Sequence, residues 1–93
     1  MRYCVYDFLF YVHDNCDFFL GKCKDMLSEY CEVLYVSPIH SKRGCQHYHI
    51  LVGFSLSKSF NLIRAIAEEC NCVFGGHVIC YDEYIKYLIK DFQ

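Results

Sequence analysis

The spacing of apolar residues in this chain switches repeatedly between a period of two and a helical period, and that switching restricts the fold more than any other feature. Residues 3–13 alternate: Cys4, Tyr6, Phe8, Phe10 and Val12 make one continuous apolar face, while Tyr3, Asp7, Tyr11 and His13 lie on the other. This is the pattern of a half-buried strand, whose side chains point in turn to the two sides of a sheet. Asp14 or Asn15 can cap the helix that follows, because a short polar side chain there accepts from a backbone N–H left free at the helix start. The stripe of that helix is Phe19, Cys23, Met26, Leu27 and Tyr30. A short strand spans 31–36 and ends at Ser37-Pro38, since proline cannot donate to a ladder. The polar, basic turn Ser41-Lys42-Arg43-Gly44 leads into a third strand at about 46–54. Ser57 or Ser59 caps a helix with Phe60, Ile63, Ile66, Ala67 and Cys70 inward. A glycine-containing strand at about 72–80 comes next. Residues 81–92 form a last helix with Tyr81, Tyr84, Ile85, Leu88 and Phe92 on its buried stripe.

The order β-α-β-β-α-β-α, with helices crossing over after the first and third strands, predicts an α+β fold of the split βαβ kind. That plan, ferredoxin- or RRM-like, is an antiparallel sheet with helices on one face and the other face open. Ninety-three residues supply one small core, so residues 1–93 are expected to form a single domain with no room for a helicase or ATPase module.

Eight cysteines raise the question of a disulfide scaffold. No pair has Cys-x-x-Cys spacing, and the residues sit in apolar periodic segments where free cysteine behaves as a small hydrophobe. Reduced, mostly buried thiols are expected. The first residues, Met1 to Asp7, break their apolar run with an acid and offer no small-residue cleavage site. No stretch reaches the roughly 18 apolar residues a membrane span needs. The expectation is an intracellular soluble domain without a membrane partner. A formal net charge of -2 excludes a generically basic nucleic-acid coat, so any nucleic-acid role must rest on a local site with its own cations.

Two constellations carry chemistry. On the third strand His47 and His49 share one face, while Tyr48, Ile50, Val52 and Phe54 take the core side. Two adjacent imidazoles can ligate one ion through neutral ring nitrogens, and His40, on the loop after the neighbouring strand, can supply a third. Three imidazoles with open positions suit a catalytic metal better than a closed structural zinc site. A Cys45 thiolate beside the histidines would favour zinc. On the last helix Tyr87 falls off the buried stripe, one turn before Lys90. A cation there favours phenolate and can hold a phosphate oxygen, which makes Tyr87 a candidate nucleophile, although this helix by itself reads first as one carrying an amphipathic tyrosine with its hydroxyl in water.

Ser37-Pro38-Ile39-His40, then His47-Tyr48-His49-Ile50-Leu51-Val52, then Tyr87-Leu88-Ile89-Lys90-Asp91 resembles the three-motif pattern of HUH-superfamily rolling-circle replication initiators (Rep endonucleases) of small plasmids and single-stranded DNA viruses. The Ser-Pro-Ile-His stretch is similar to the plasmid type, and the Tyr-x-x-Lys helix is shared with the viral type. The resemblance implies a single HUH-type endonuclease domain with His40, His47 and His49 as metal ligands, Tyr87 as nucleophile and Lys90 as accessory cation. It implies metal-dependent, sequence-specific nicking and rejoining of single-stranded DNA at a replication origin, through a 5′-phosphotyrosine, to initiate rolling-circle replication. The cofactor is then Mn²⁺ or Mg²⁺, with Zn²⁺ in a purified sample. The partner is single-stranded DNA carrying an origin hairpin, with oligomerisation or host replication factors besides. The location is a host nucleus for a eukaryotic virus, or cytoplasm for a prokaryotic plasmid, virus or phage.

The first motif of that family, which contacts the origin, falls at Tyr11, His13, Asp14 and Asn15. Tyr3 and Tyr11 can stack bases, and Lys42, Arg43, Lys58, Lys86 and Lys90 can contact phosphates. The chain departs from the plasmid type at Arg43, where members often place an acid, which leaves Glu32 or Asp7 as candidates for an acidic ligand. Two other classes stand beside this one. A noncatalytic RRM-like nucleic-acid-binding module accounts for the fold but not for three histidines and Tyr87 together, and a small metal-binding or disulfide-stapled structural protein accounts for the cysteines and histidines but not for the Tyr-x-x-Lys helix. Within the enzyme class, a single-tyrosine HUH transposase shares the same residues.

Overall fold

The computed structural model describes residues 4–12, 16–42, 44–56 and 58–92. Tyr3, His13, Asp14, Asn15, Arg43 and Ser57, named above as stacking, origin-contacting, phosphate-contacting or capping residues, lie outside the described residues. The elements are β1 (Cys4–Tyr11), α1 (Cys16–Leu27), β2 (Glu32–Val36), β3 (His40–Lys42), β4 (Cys45–Phe54), α2 (Phe60–Glu69), β5 (Val73–Val78) and α3 (Tyr81–Phe92). Ser59 is the cap of α2, accepting from the Leu62 N–H at 3.3 Å, which satisfies one of the orphan donors of its first turn.

The strands form one five-stranded antiparallel sheet, order β2-β4-β1-β5, with β3 also paired to β4. This is the split βαβ arrangement: β4 lies between β1 and β2, and α1 and α2 make the crossovers. Expected and observed elements differ in one respect. The segment carrying His40 is not a loop but a three-residue strand, paired His40 to His47 and Lys42 to Cys45. β2 and β3 thus run along the same edge of β4, interrupted at Ser37, Pro38 and Ile39, where proline breaks the ladder.

Strand alternation sorts the core. Tyr6, Phe8 and Phe10 of β1 and Ile50, Val52 and Phe54 of β4 meet Cys23 and Leu27 of α1 and Ile63, Ile66 and Ala67 of α2, all buried. Burying a large apolar side chain contributes roughly 1.5–3 kcal/mol, so this layer is the main source of stability. The opposite face, expected open, is covered in part by α3. Leu88 is fully buried against Val5, Leu51 and Val78, with Tyr81, Tyr84 and Ile85 beside it. The two crossover helices therefore share one face, while the last helix lies across the other, the face that bears His47 and His49. No described helix is long and apolar enough to cross a membrane. Cys4, Cys23, Cys31, Cys45, Cys70, Cys72 and Cys80 are free thiols; Cys23, Cys70 and Cys72 are buried as expected, whereas Cys45 and Cys80 are exposed.

Candidate metal centre

Alternation along β4 puts His47 and His49 on the α3 side, and the β3–β4 register sets His40 directly across from His47. The ring centroids lie 4.8 Å apart for His40 and His49, 5.0 Å for His47 and His49, and 5.8 Å for His40 and His47. One ring nitrogen from each falls within 4.8 Å of the other two. Backbone pairing brings the three residues side by side, so the site is built into the sheet and not into a loop.

Two of the nitrogens have no partner among the described residues. Nε2 of His40 and Nδ1 of His47 are buried without a hydrogen bond, a condition that costs about 1–3 kcal/mol per group and that a cation bound by the lone pairs would relieve. His47 is held below its ordinary pKa, first by burial and then by the neighbouring His49 and His40, which favours the neutral, ligating form. On these grounds the residues present fit a divalent metal ion.

His49 is fixed from three directions. Its backbone carbonyl accepts from the Ser37 N–H at 2.9 Å, and its own N–H donates to the Ser37 Oγ at 2.9 Å. Ser37, 3% exposed, thereby bridges the gap that Pro38 leaves between β2 and β3. Nδ1 of the His49 ring lies 3.0 and 3.1 Å from the two carboxylate oxygens of Asp7. With the proton on Nδ1, Nε2 is left free to ligate, the orientation that outer carboxylates impose on metal-binding histidines.

Asp7 is 3% exposed and also accepts from the Tyr84 hydroxyl at 2.6 Å. Burial, followed by the Asp7 hydrogen bond and charge, pushes Tyr84 above its ordinary pKa and keeps it protonated. Beside Asp7 the β1–β5 register shifts, and a Cβ on Gly75 would stand 3.0 Å from the Asp7 carbonyl oxygen and 3.1 Å from its Oδ2. The glycine lets β5 pass close to the carboxylate, where a larger residue would crowd Asp7. Asp7 thus sits behind His49, outside the cluster of ring nitrogens. Glu32 is exposed at the far end of β2, paired with Gly53, which removes it as an acidic ligand.

Across the cavity from the histidines stands α3. A space of about 530 Å³ is walled by His40, His47, His49, Tyr11, Tyr84 and Tyr87, with Leu9 and Ser41. Tyr87 is 56% exposed and stacks on Tyr84 at 6.1 Å and 19°. Lys90 follows Tyr87 by one turn of α3, and Lys42 closes β3. Tyr11, 38% exposed, has its ring 5.6 Å from that of His47, so of the origin-contacting residues expected from sequence it is the one described at the cavity. Lys58 is elsewhere: its Nζ lies 5.9 Å from the centre of the Phe54 ring, on the α2 side of the sheet. Cys45 is exposed and outside the histidine group.

Ser37, Tyr84 and Gly75 were not singled out by sequence for these roles. The serine ahead of a strand-breaking proline was the one local signal, whereas the others depend on contacts between β1, β5 and α3. No protein-family model, curated protein or solved structure matches this chain.

Proposed function

We propose that this chain is a metal-dependent endonuclease and strand transferase of the HUH Rep kind, which nicks and rejoins single-stranded DNA at a replication origin to start rolling-circle replication. The observation that carries the reading is the shared cavity. Three imidazoles, two of them with an orphaned buried nitrogen, line the same space as an exposed tyrosine, Tyr87. A noncatalytic binding module gives no reason for buried unpaired nitrogens facing a tyrosine.

When bound at His40, His47 and His49, a divalent ion, Mn²⁺ or Mg²⁺ in use, supplies Lewis-acid polarisation of the scissile phosphate. The soft imidazole set also favours Zn²⁺ in a purified sample. The Tyr87 oxygen attacks phosphorus in line with the departing 3′ oxygen. The Tyr87 O–P bond forms as the P–O3′ bond breaks; the phenol loses its proton and the 3′ oxygen gains one. Lys90, one turn along the helix, is the accessory cation that the resemblance implies. The product is a 5′-phosphotyrosyl enzyme and a free 3′-hydroxyl. Bond energy is retained in the phosphotyrosine, so a later 3′-hydroxyl reverses the step and rejoins the strand without an external energy source. Tyr11 offers a ring on which a base can stack beside the cavity. With a net charge of -2 the protein binds through a few placed cations, and its salt dependence is correspondingly shallow.

The test is incubation with single-stranded oligonucleotides, an origin-like hairpin among them, in Mn²⁺, followed by denaturing electrophoresis. A slower, denaturation-resistant band is expected, abolished by EDTA and by Tyr87→Phe. Binding without any adduct across the oligonucleotides would refute the enzymatic reading.

A further inference from the structure

Tyr84 and Tyr87 lie one turn apart on α3, yet they are held differently. Tyr87 is exposed at the cavity, whereas the Tyr84 hydroxyl is committed to Asp7 Oδ2 at 2.6 Å. We infer that Tyr84 is a positioning residue that acts through Asp7: it sets the His49 ring for metal ligation and ties the helix carrying Tyr87 to the histidine cluster. This inference rests on the metal-dependent reading above.

The chain of contacts is continuous. A carboxylate buried as deeply as Asp7 is costly unless its oxygens are hydrogen-bonded, and its side chain has two donors, the Tyr84 hydroxyl and the His49 Nδ1–H. An O–H donating to a carboxylate at this distance is among the stronger hydrogen bonds in proteins. It fixes the carboxylate, and the carboxylate fixes the imidazole. The Tyr84 ring also meets the His49 ring edge-on at 6.4 Å and 84° and the Tyr87 ring nearly parallel. Elsewhere α3 is held by Leu88 against the sheet and by the Tyr81 hydroxyl donating to the Leu34 carbonyl at 3.3 Å. Tyr84 therefore joins the nucleophile's helix to the wall of ligands.

A phenylalanine at this position keeps the ring contacts and removes the hydrogen bond, so Tyr84→Phe separates positioning from packing. Titration with CoCl₂, followed by the visible ligand-field bands and by calorimetry, needs no DNA. Tyr84→Phe is expected to weaken Co²⁺ binding by about tenfold to a hundredfold, the range for outer ligands of metal sites, and to shift the bands. Because Tyr84 acts through Asp7, Asp7→Asn combined with Tyr84→Phe should lose little more than Asp7→Asn alone. Unchanged affinity and bands in Tyr84→Phe, or fully additive losses in the double variant, would overturn the inference. A measurement without mutation guards against loss of folding: imidazole ¹⁵N NMR of the metal-free wild type should find His49 protonated on Nδ1, and the Nε2–H tautomer would overturn the inference as well. Wild-type protein that binds no Co²⁺ overturns both this and the functional reading. Wild-type protein that shows the Co²⁺ effects but forms no DNA adduct upholds the role of Tyr84 and refutes nicking.

Discussion

Replacing His40 with leucine should make the metal-free protein more stable while removing most of what metal adds. His40 is 8% exposed, and its Nε2 has no partner. An unsatisfied buried polar group costs about 1–3 kcal/mol, and leucine fills similar space without that cost. A net gain near the lower end, about 1 kcal/mol, raises the melting temperature by roughly 4–8 °C for a chain of this size. Ligation works in the opposite sense. At a free metal concentration a hundredfold above the dissociation constant, binding stabilises the wild type by about 2.7 kcal/mol, an upward shift of roughly 11–22 °C. Loss of one of three imidazoles reduces that shift to a small fraction. The assay is thermal unfolding by circular dichroism with EDTA and with excess Zn²⁺ or Mn²⁺, at about pH 7.5 so that ordinary histidines are neutral. A His40→Leu protein that melts several degrees lower without metal and keeps the wild-type metal shift would refute the reasoning, since His40 would then be a packed core histidine.

Three further outcomes follow from the same geometry. Ser37→Ala leaves the part-buried His49 N–H without its acceptor and should cost about 1 kcal/mol in denaturant unfolding; an unchanged midpoint would mean that the bridge between β2 and β3 is dispensable. Gly75→Ala drives a methyl to 3.0 Å from the Asp7 carbonyl and should lower both stability, by about 1–3 kcal/mol, and metal affinity. Gly21→Ala in α1 meets nothing within 4 Å and should stabilise by about 0.5–1 kcal/mol; a reversed order of these two variants would contradict the packing described. For pH, the folded pKa of His47 lies below its unfolded value. Its contribution to metal-free stability is therefore present above about pH 6.5 and lost as pH falls through the folded pKa, with metal affinity falling in the same direction as protons compete. Melting curves and metal titrations between about pH 8 and 5 check this, and a gain in either quantity on acidification would contradict it.

Much of the fold was legible because side-chain period reports burial directly. The alternation around His47 and His49 gave both the strand and the face, and the Leu88 stripe gave the last helix. What periodicity does not carry is the side of the sheet on which a helix docks, so α3 was expected among the other helices. A signal existed in Ile50-Leu51-Val52, a continuous apolar run that marks a strand buried on both faces: Leu51 is fully buried under α3, whereas Ile50 and Val52 face α1 and α2. The sequence marks His40 as a candidate ligand but not its strand, because three residues are too few to display a period. The support of the candidate site was least legible. Ser37 reaches His49 across 12 positions and Tyr84 reaches Asp7 across 77, and hydrogen bonds of that reach leave no trace in local spacing. The cysteines divide similarly: Cys23, Cys70 and Cys72 are buried in the core, as their apolar periodic segments imply, with a thiol–thiol hydrogen bond of 3.3 Å between Cys23 and Cys72, whereas exposed Cys45 and Cys80 answer to no pattern in the chain.

Covalent joining of Tyr87 to DNA at the histidine cavity, as proposed above, can be read by tandem mass spectrometry of the protein after reaction with a single-stranded origin oligonucleotide and Mn²⁺. A phosphodiester-linked nucleotide is expected on the peptide containing Tyr87, on that tyrosine and absent when EDTA is present. A nucleotide on Tyr84 or Tyr11 instead, or a metal-loaded protein that binds the oligonucleotide and carries no adduct on any residue, would contradict it.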